Sequence, residues 1–380
     1  MKLIENAKVV LEDGILCDGA ILTEGERILW VGKRGETDAP EAERVDAGGL
    51  FVGPGFVDIH VHGGGGAEFF KEPMKTAEFF LRHGTTTVLP TSKNCYDLPF
   101  YLESFHRIRE AMRSSGAGKA IAGIYMEGPY MNPKYGANPE RNLWRGDIIP
   151  ERYVPLVDGA GDLVRVWAVA PERKGIEPFL KYAKEVNPQV VFSVGHSEAT
   201  PDEIEACKPY GIRIQTHCMD ATGRVPLWEG TRGSGPDEYC LLDDEMYAEL
   251  ICDSGAVHVS VTLQKLILKV KGLDKVILIT DRNDVDLPAP PGLERYDDLS
   301  FDPFGRLAGS KLTLDRACRN IMRHTGISMD EAFLLAARNP ARAVGLDHEV
   351  GTVAAGKKAN LIFVDEGFAV KKVMLEGEFV

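Results

Sequence analysis

Eight short apolar runs recur along residues 51–348, each ending in polar or glycine residues. They are FVDIHV (56–61), TTTVLPTS (85–92), AIAGIYMEG (120–128), VRVWAVAP (164–171), VVFSVGHS (190–197), IRIQTHC (212–218), YAELICDSGAVHV (247–259) and KVILITD (275–281). Several are apolar at nearly every position, as parallel strands buried on both faces must be. Helix-like sequence such as KTAEFFLRHG, LESFHRIREAMRSSG, IEPFLKYAKEV and PDEIEACKPYG stands between them. Eight strand–helix units over about 300 residues predict the α/β class and a (β/α)8 TIM-like barrel. A doubly wound sheet is the main rival.

The two ends of the chain read differently. Residues 1–50 and 349–380 hold strand-like runs separated by glycine- and acid-rich turns, as hairpins do. They are expected to form one small β-sandwich domain built from both termini, with the barrel of residues 51–348 inserted between them.

Bulk properties exclude several functions. A net charge of −13 and a pI near 5.3 argue against sequence-independent nucleic-acid binding, which needs a basic face. No segment reaches the roughly 18 uninterrupted apolar residues of a membrane span. The opening MKLIENAKVVLEDG is broken by Glu5, Asn6 and Lys8, so it is no secretory signal, and a cytoplasmic location is expected. The seven cysteines are scattered with no CxxC pair, which fits reduced, mostly buried thiols rather than a zinc cluster.

The chemistry gathers where the apolar runs stop. The first ends at His60 and His62, the third at Glu127, the fifth at His196, the sixth at His217 and the eighth at Asp281. Any one alone is more often a hydrogen-bonded structural residue or a helix cap. The HxH pair is more telling, because alternate strand residues share a face. Two imidazoles on an interior face are costly unless ligated. In a barrel all these ends meet at one face, so the six residues predict a metal site. The glycines at 63–66 are expected to turn the backbone and leave room for a substrate. Ser197 in GHSEA does not match a GxSxG nucleophile elbow and reads as a helix cap.

The pattern resembles the amidohydrolase superfamily, and more closely its N-acetylglucosamine-6-phosphate deacetylases. The matching stretches are GPGFVDIHVHGGGG, MEGPYMNPKYGAN, VGHSEAT, THCMDATG, HV at 258–259, LITD, LAGS and NPARAVGLDHEVGTVAAGKKANLIFVD. The resemblance implies a metal-dependent hydrolase of the amidohydrolase barrel type, acting on a small amino sugar phosphate. Glu127, His196 and His217 would hold a main divalent ion. His60, His62 and Asp281 would hold a second where two are bound. Zinc is the first choice, with iron, manganese or cobalt as alternatives. Asp281 would act as general base and then acid, and His258 would contact the sugar and polarise the acetyl carbonyl. Leu307, Ala308, Gly309 and Ser310 would line the acetyl and sugar pocket. Asp220 and Ala221 stand at the phosphate contacts, and Arg232 matches a phosphate-binding arginine. A homodimer is implied as well.

Two departures keep the substrate open. Asp220-Ala221 replaces the usual Asn-Ala pair, and a carboxylate there repels a phosphate dianion. The usual TDA is TDRND, which puts Arg282 near the site, where pairing with Asp220 would neutralise it. Lys134, Arg145 and Arg224 are further candidates for a phosphate clamp. The alternative is an amidohydrolase acting on another N-acyl amino sugar, the galactosamine isomer or an unphosphorylated one, or on another amide. A carboxylated strand-four lysine would favour that branch, but VRVWAVAPERK has no lysine at its strand end. A non-catalytic scaffold is the remote third reading, and it would have lost ligands.

Overall fold

The computed structural model describes residues 1–137 and 139–380. Asn138, within the MEGPYMNPKYGAN stretch, lies outside the described residues. All eight apolar runs form strands: β1 (Phe56–Val61), β2 (Thr85–Pro90), β3 (Ile124–Met126), β4 (Val164–Val169), β5 (Val191–Val194), β6 (Ile212–Gln215), β7 (Tyr247–Ile251) and β8 (Val276–Ile279). Strands β3 to β8 make one six-stranded parallel sheet in chain order, and β1 pairs in parallel with β2. Parallel bridges Val88–Ile121 and Thr91–Tyr125 join the second strand region to the third. At the other edge, the Asp281 amide just beyond β8 donates to the His60 carbonyl of β1 at 2.9 Å.

Every residue of β1, β2, β3, β5, β7 and β8 is buried, as the apolar runs require. The covering layer is helical. In helix Ile176–Val186 the buried residues are Ile176, Phe179, Leu180 and Ala183, one stripe at helical spacing. Phe179 packs on Trp167 and Tyr130 with ring centroids 5.2 and 4.4 Å away. Truncating a ring enclosed this way costs about 3–5 kcal/mol.

Both termini enter a single eight-stranded sheet. In sheet order it runs Glu378–Phe379, Val370–Leu375, Leu361–Val364, Phe51–Pro54, Lys2–Leu11, Gly14–Glu24 and Arg27–Lys33, with Glu43–Asp46 also pairing Lys2–Leu11. Its own core is Ile4, Val9, Ile21, Ile28, Val52, Leu361, Phe363 and Met374. Phe56 of β1 stacks on Phe333 and Phe368, tying β1 to the chain's last third. Beyond β8 the chain adds an antiparallel pair, Leu299–Phe301 with Leu307–Ser310, so the LAGS stretch is a strand. No helix among the described residues is long and apolar enough to cross a membrane.

Candidate metal and catalytic site

The ends of the parallel strands converge as the sequence predicts. His60 (β1), His62 (just after β1), Glu127 (after β3), His196 (after β5), His217 (after β6), His258 (after β7) and Asp281 (after β8) are all buried, and all but His60 line one cavity. That cavity, of about 360 Å³, is large enough for a small-molecule substrate. Backbone strain concentrates there. His196, His217 and Asp281 have φ of +47°, +27° and +45°, a region most L-residues avoid. Such strain persists only where the surroundings overdetermine it, and it collects at functional sites.

The ligand atoms form two groups that share Glu127. Glu127 Oε1 lies 2.9 Å from His196 Nε2 and 3.2 Å from His217 Nε2, and these two nitrogens are 3.1 Å apart. Glu127 Oε2 lies 3.1 Å from His62 Nε2 and 3.4 Å from His60 Nε2. Asp281 Oδ1 lies 3.1 Å from His62 Nε2 and 3.6 Å from His60 Nε2. In each group the donor atoms all fall within 4.8 Å of one another. The donor chemistry fits a divalent cation of the zinc, iron or manganese kind, being imidazole nitrogen with carboxylate oxygen. The buried His60 Nε2 has no hydrogen-bond partner, as a nitrogen that takes an ion should not.

The electrostatics point the same way. Burial raises the Glu127 carboxyl, but the charge of His60 and hydrogen bonds from His196 and His217 outweigh it and hold it well below the usual carboxylate range. Burial opposes a charged His217, yet Glu127, Asp220 and Asp281 lift it to about 9. For His62, burial is outweighed by Asp281 and Glu127, and its pKa is also raised. The cluster is a negative, desolvated pocket that stabilises positive charge.

Two groups, Asp281 within the cluster and His258 beside it, can move protons. Burial raises the Asp281 carboxyl, but the His62 hydrogen bond and the charges of His60 and His62 outweigh it, so it stays ionised. His258 Nδ1 bonds Asp253 Oδ2 at 3.1 Å, while its Nε2 is buried without a partner. Asp253 also accepts from the amides of Gly255, Val257 and His258, which fixes the loop carrying the ring. Asp253 was missed in the sequence, although it too follows an apolar strand in ELICD. Glu68, Lys93 and Asn283 were missed as well. They line the cavity as a cluster in which Lys93 Nζ donates to Glu68 and Asn283, both at 2.7 Å. No residue-type pattern marked them, because they come from three separate loops.

Asp220, Ala221, Leu307, Ala308 and Gly309 line the cavity. Gly309 has φ of +67°, and a Cβ there would lie 2.3 Å from the Asp281 carbonyl, so no other residue fits. Ser310 sits behind the wall, its hydroxyl donating to the Thr280 carbonyl. Arg232 is largely exposed, 3.6 Å from Glu238, and does not line the cavity within this chain. Lys134 pairs with Glu198 and Arg224 with Glu238, and neither they nor Arg145 line the cavity.

Three expectations need correction. Arg282 does not pair with Asp220. Its guanidinium donates to the carbonyls of Lys311 and Leu312 and lies over the Phe79 ring, because its strand-end position directs it under the following loop. Asp220 has no ion pair among the described residues. Ser197 is not the helix cap. Thr200 caps helix Pro201–Cys207 in a capping box with Glu203, and the Ser197 hydroxyl donates to Glu172. The glycines at 63–66 turn the chain tightly, with Gly64 N donating to Ala67 O, but none lines the cavity, and Gly64 and Gly65 pack against Phe79.

Known proteins resemble this chain in sequence and fold. The amidohydrolase family profile matches residues 51–380. The chain belongs to the amidohydrolase family. It is an enzyme of the hydrolase class. It is 30% identical over 340 residues to the N-acetylgalactosamine-6-phosphate deacetylase of Escherichia coli O157:H7, covering 86% of each chain. It is 26% identical to the N-acetylglucosamine-6-phosphate deacetylase of Bacillus subtilis strain 168, covering 99% of this chain and 96% of that one. The crystal structure of N-acetylglucosamine-6-phosphate deacetylase from Pasteurella multocida superposes with a TM-score of 0.85 at 27% identity, covering 100% of this chain and 99% of that one.

Proposed function

We propose that the chain is a metal-dependent deacetylase that hydrolyses N-acetylglucosamine 6-phosphate to glucosamine 6-phosphate and acetate, in amino sugar catabolism. One observation carries this reading. Two metal-ligand groups share Glu127, and an ionised Asp281 and the free Nε2 of His258 belong to the same site. The deacetylase relatives support acetyl removal. Glu127, His196 and His217 would hold one ion, and His60, His62 and Asp281, with Glu127 beside them, would hold a second where two bind. Zinc leads the candidates, ahead of iron, manganese and cobalt. A divalent ion supplies Lewis acidity, lowering the pKa of water from about 15.7 to about 7 and polarising an amide carbonyl.

The chain's own residues do the rest. Asp281 takes a proton from the attacking water and passes it to the departing amine nitrogen. His258 Nε2 carries a proton when the ring is charged. Burial opposes that charge, but Asp253, Asp220 and Asp281 outweigh it and raise the His258 pKa. That N–H donates to the acetyl oxygen as negative charge develops on it. Asp253 holds the ring in place. Leu307, Ala308 and Gly309 shape the wall facing the acetyl and sugar, with Ser310 behind them.

The wider reading follows. Strands β1–β8 form a closed (β/α)8 barrel, which the 121–125 bridges and the Asp281–His60 hydrogen bond support. The catalytic barrel occupies 51–348 and a small β-sandwich is built from 1–50 and 349–380, except that Phe51–Pro54 pairs within the terminal sheet. The enzyme is a cytoplasmic homodimer. The loop around Arg232 leaves Leu227 and Trp228 exposed, as a partner-facing loop does.

A second substrate reading is favoured by Asp220, which faces the cavity while Arg232 and Arg282 lie elsewhere. It is another N-acyl amino sugar, the galactosamine 6-phosphate isomer or an unphosphorylated sugar. Acetate release from N-acetylglucosamine 6-phosphate, N-acetylgalactosamine 6-phosphate and N-acetylglucosamine, on protein of counted metal content, separates them. Preference for the glucosamine phosphate is expected. Metal-replete protein inactive on all three refutes both.

A further inference from the structure

We propose that Glu249 is a positioning residue that orients His60 toward the second ion. This rests on the two-ion reading above. Glu249 lies in the middle of β7 and is wholly buried. Its Oε2 bonds His60 Nδ1 at 3.1 Å and accepts from the backbone amide of His217 at 3.2 Å. One oxygen therefore touches a member of each ligand group, and the two contacts cross from β7 to β1 and to β6.

The consequences follow from imidazole chemistry. A carboxylate at Nδ1 holds the proton there and leaves the Nε2 lone pair for an ion. His60 Nε2 is the nitrogen that lies 3.4 Å from Glu127 Oε2 and has no hydrogen-bond partner. The Tyr125 ring, 4.6 Å from the His60 ring, limits its rotation. The other ligand histidines are held differently. His62 Nδ1 faces the Thr91 carbonyl at 3.3 Å, His217 Nδ1 faces the Asp220 carbonyl at 3.2 Å, and His196 Nδ1 has no partner. Among the described residues, only Glu249 brings a carboxylate to the far nitrogen of a ligand histidine. Its position also bears on His217, whose φ of +27° needs an external hold.

A purely structural origin explains this carboxylate poorly. Glu249 Oε1 is buried without a partner. A buried carboxylate with one oxygen unpaired is costly, and an apolar or amide side chain would fill β7 more cheaply. The cost is understandable where the charge strengthens a ligand.

The test uses the full chain stripped of metal, titrated with Zn(II) against a chromophoric chelator. The parent should take up two ions. Glu249→Gln keeps an acceptor but loses the charge, and should weaken the second ion about tenfold. Glu249→Met loses the acceptor too and should weaken it about a hundredfold. In both the first ion should change less than threefold. The metal-free Tm of Glu249→Gln should change little, since an acceptor remains for the buried donors of His60 and His217. Unchanged second-ion affinity in Glu249→Gln overturns the proposal. So does equal weakening of both ions in that variant, or a metal-free Tm several degrees lower in it. The Gln variant decides the matter if the Met variant fails to fold. A parent that takes up one ion only overturns the two-ion reading itself, and the proposal with it.

Discussion

Replacing Asp281 by Asn isolates its proton-transfer role. The substitution is nearly isosteric, and Asn is among the residues that best tolerate the φ of +45° found there. The backbone contacts that fix this residue, its amide to the His60 carbonyl at 2.9 Å and its carbonyl to the Ser310 amide at 2.8 Å, do not involve the side chain. Fold and Tm should therefore hold. What is lost is the basic oxygen, and an amide oxygen cannot take the proton from water. A general base contributes about 10²–10⁴ in rate, so kcat should fall by that factor, about 3–5 kcal/mol in barrier. KM should change little, since His258 and the 307–309 wall remain. Asp281 Oδ1 also sits 3.1 Å from His62 Nε2, so second-ion affinity should fall too. The two effects separate by adding metal. If ligation were its only task, saturating Zn(II) would restore turnover. Acetate release measured with increasing Zn(II), alongside counted metal, is the assay. A kcat within tenfold of the parent at saturating metal would refute the base assignment.

His258→Asn removes the Nε2 donor. It should lower kcat about 10²–10³-fold while leaving metal content unchanged, read by steady-state kinetics and metal counting. Gly309→Ala places a Cβ 2.3 Å from the Asp281 carbonyl, so it should cost about 1–3 kcal/mol in chemical denaturation and lower kcat by displacing Asp281. Glu68 gives a pH signature. Burial raises its carboxyl, but the Lys93 charge and hydrogen bonds from Lys71 and Lys93 outweigh it and hold it at about 2. A folded pKa below the unfolded one stabilises the fold above about pH 4.5, and that stability is lost as pH falls toward 2. Discounted for partial exposure, Glu68→Gln should cost about 1–2 kcal/mol at pH 7. The gap should shrink by pH 3 in urea titrations, and a gap equal at both pH values counts against the assignment.

The eight strands, and the convergence of candidate ligands at their ends, were legible because the signal is local. An apolar run marks a strand buried on both faces, and the residue where it stops marks the end that a parallel arrangement gathers on one face. His60, His62, Glu127, His196, His217 and Asp281 all follow that rule, and the sequence alone determined them, together with the two-ended β region. The sequence did not determine what each side chain meets. Glu127 bridging both ligand groups, Asp253 behind His258 and Arg282 turning from Asp220 to the Lys311 carbonyl are facts of three-dimensional distance. Glu249 is the clearest case. It lies inside an apolar strand, 189 residues from the His60 it bonds, and looks there like a stray charge. Only the tertiary fold brings the two within 3.1 Å, because hydrogen bonds are short-ranged and a sequence carries no distances.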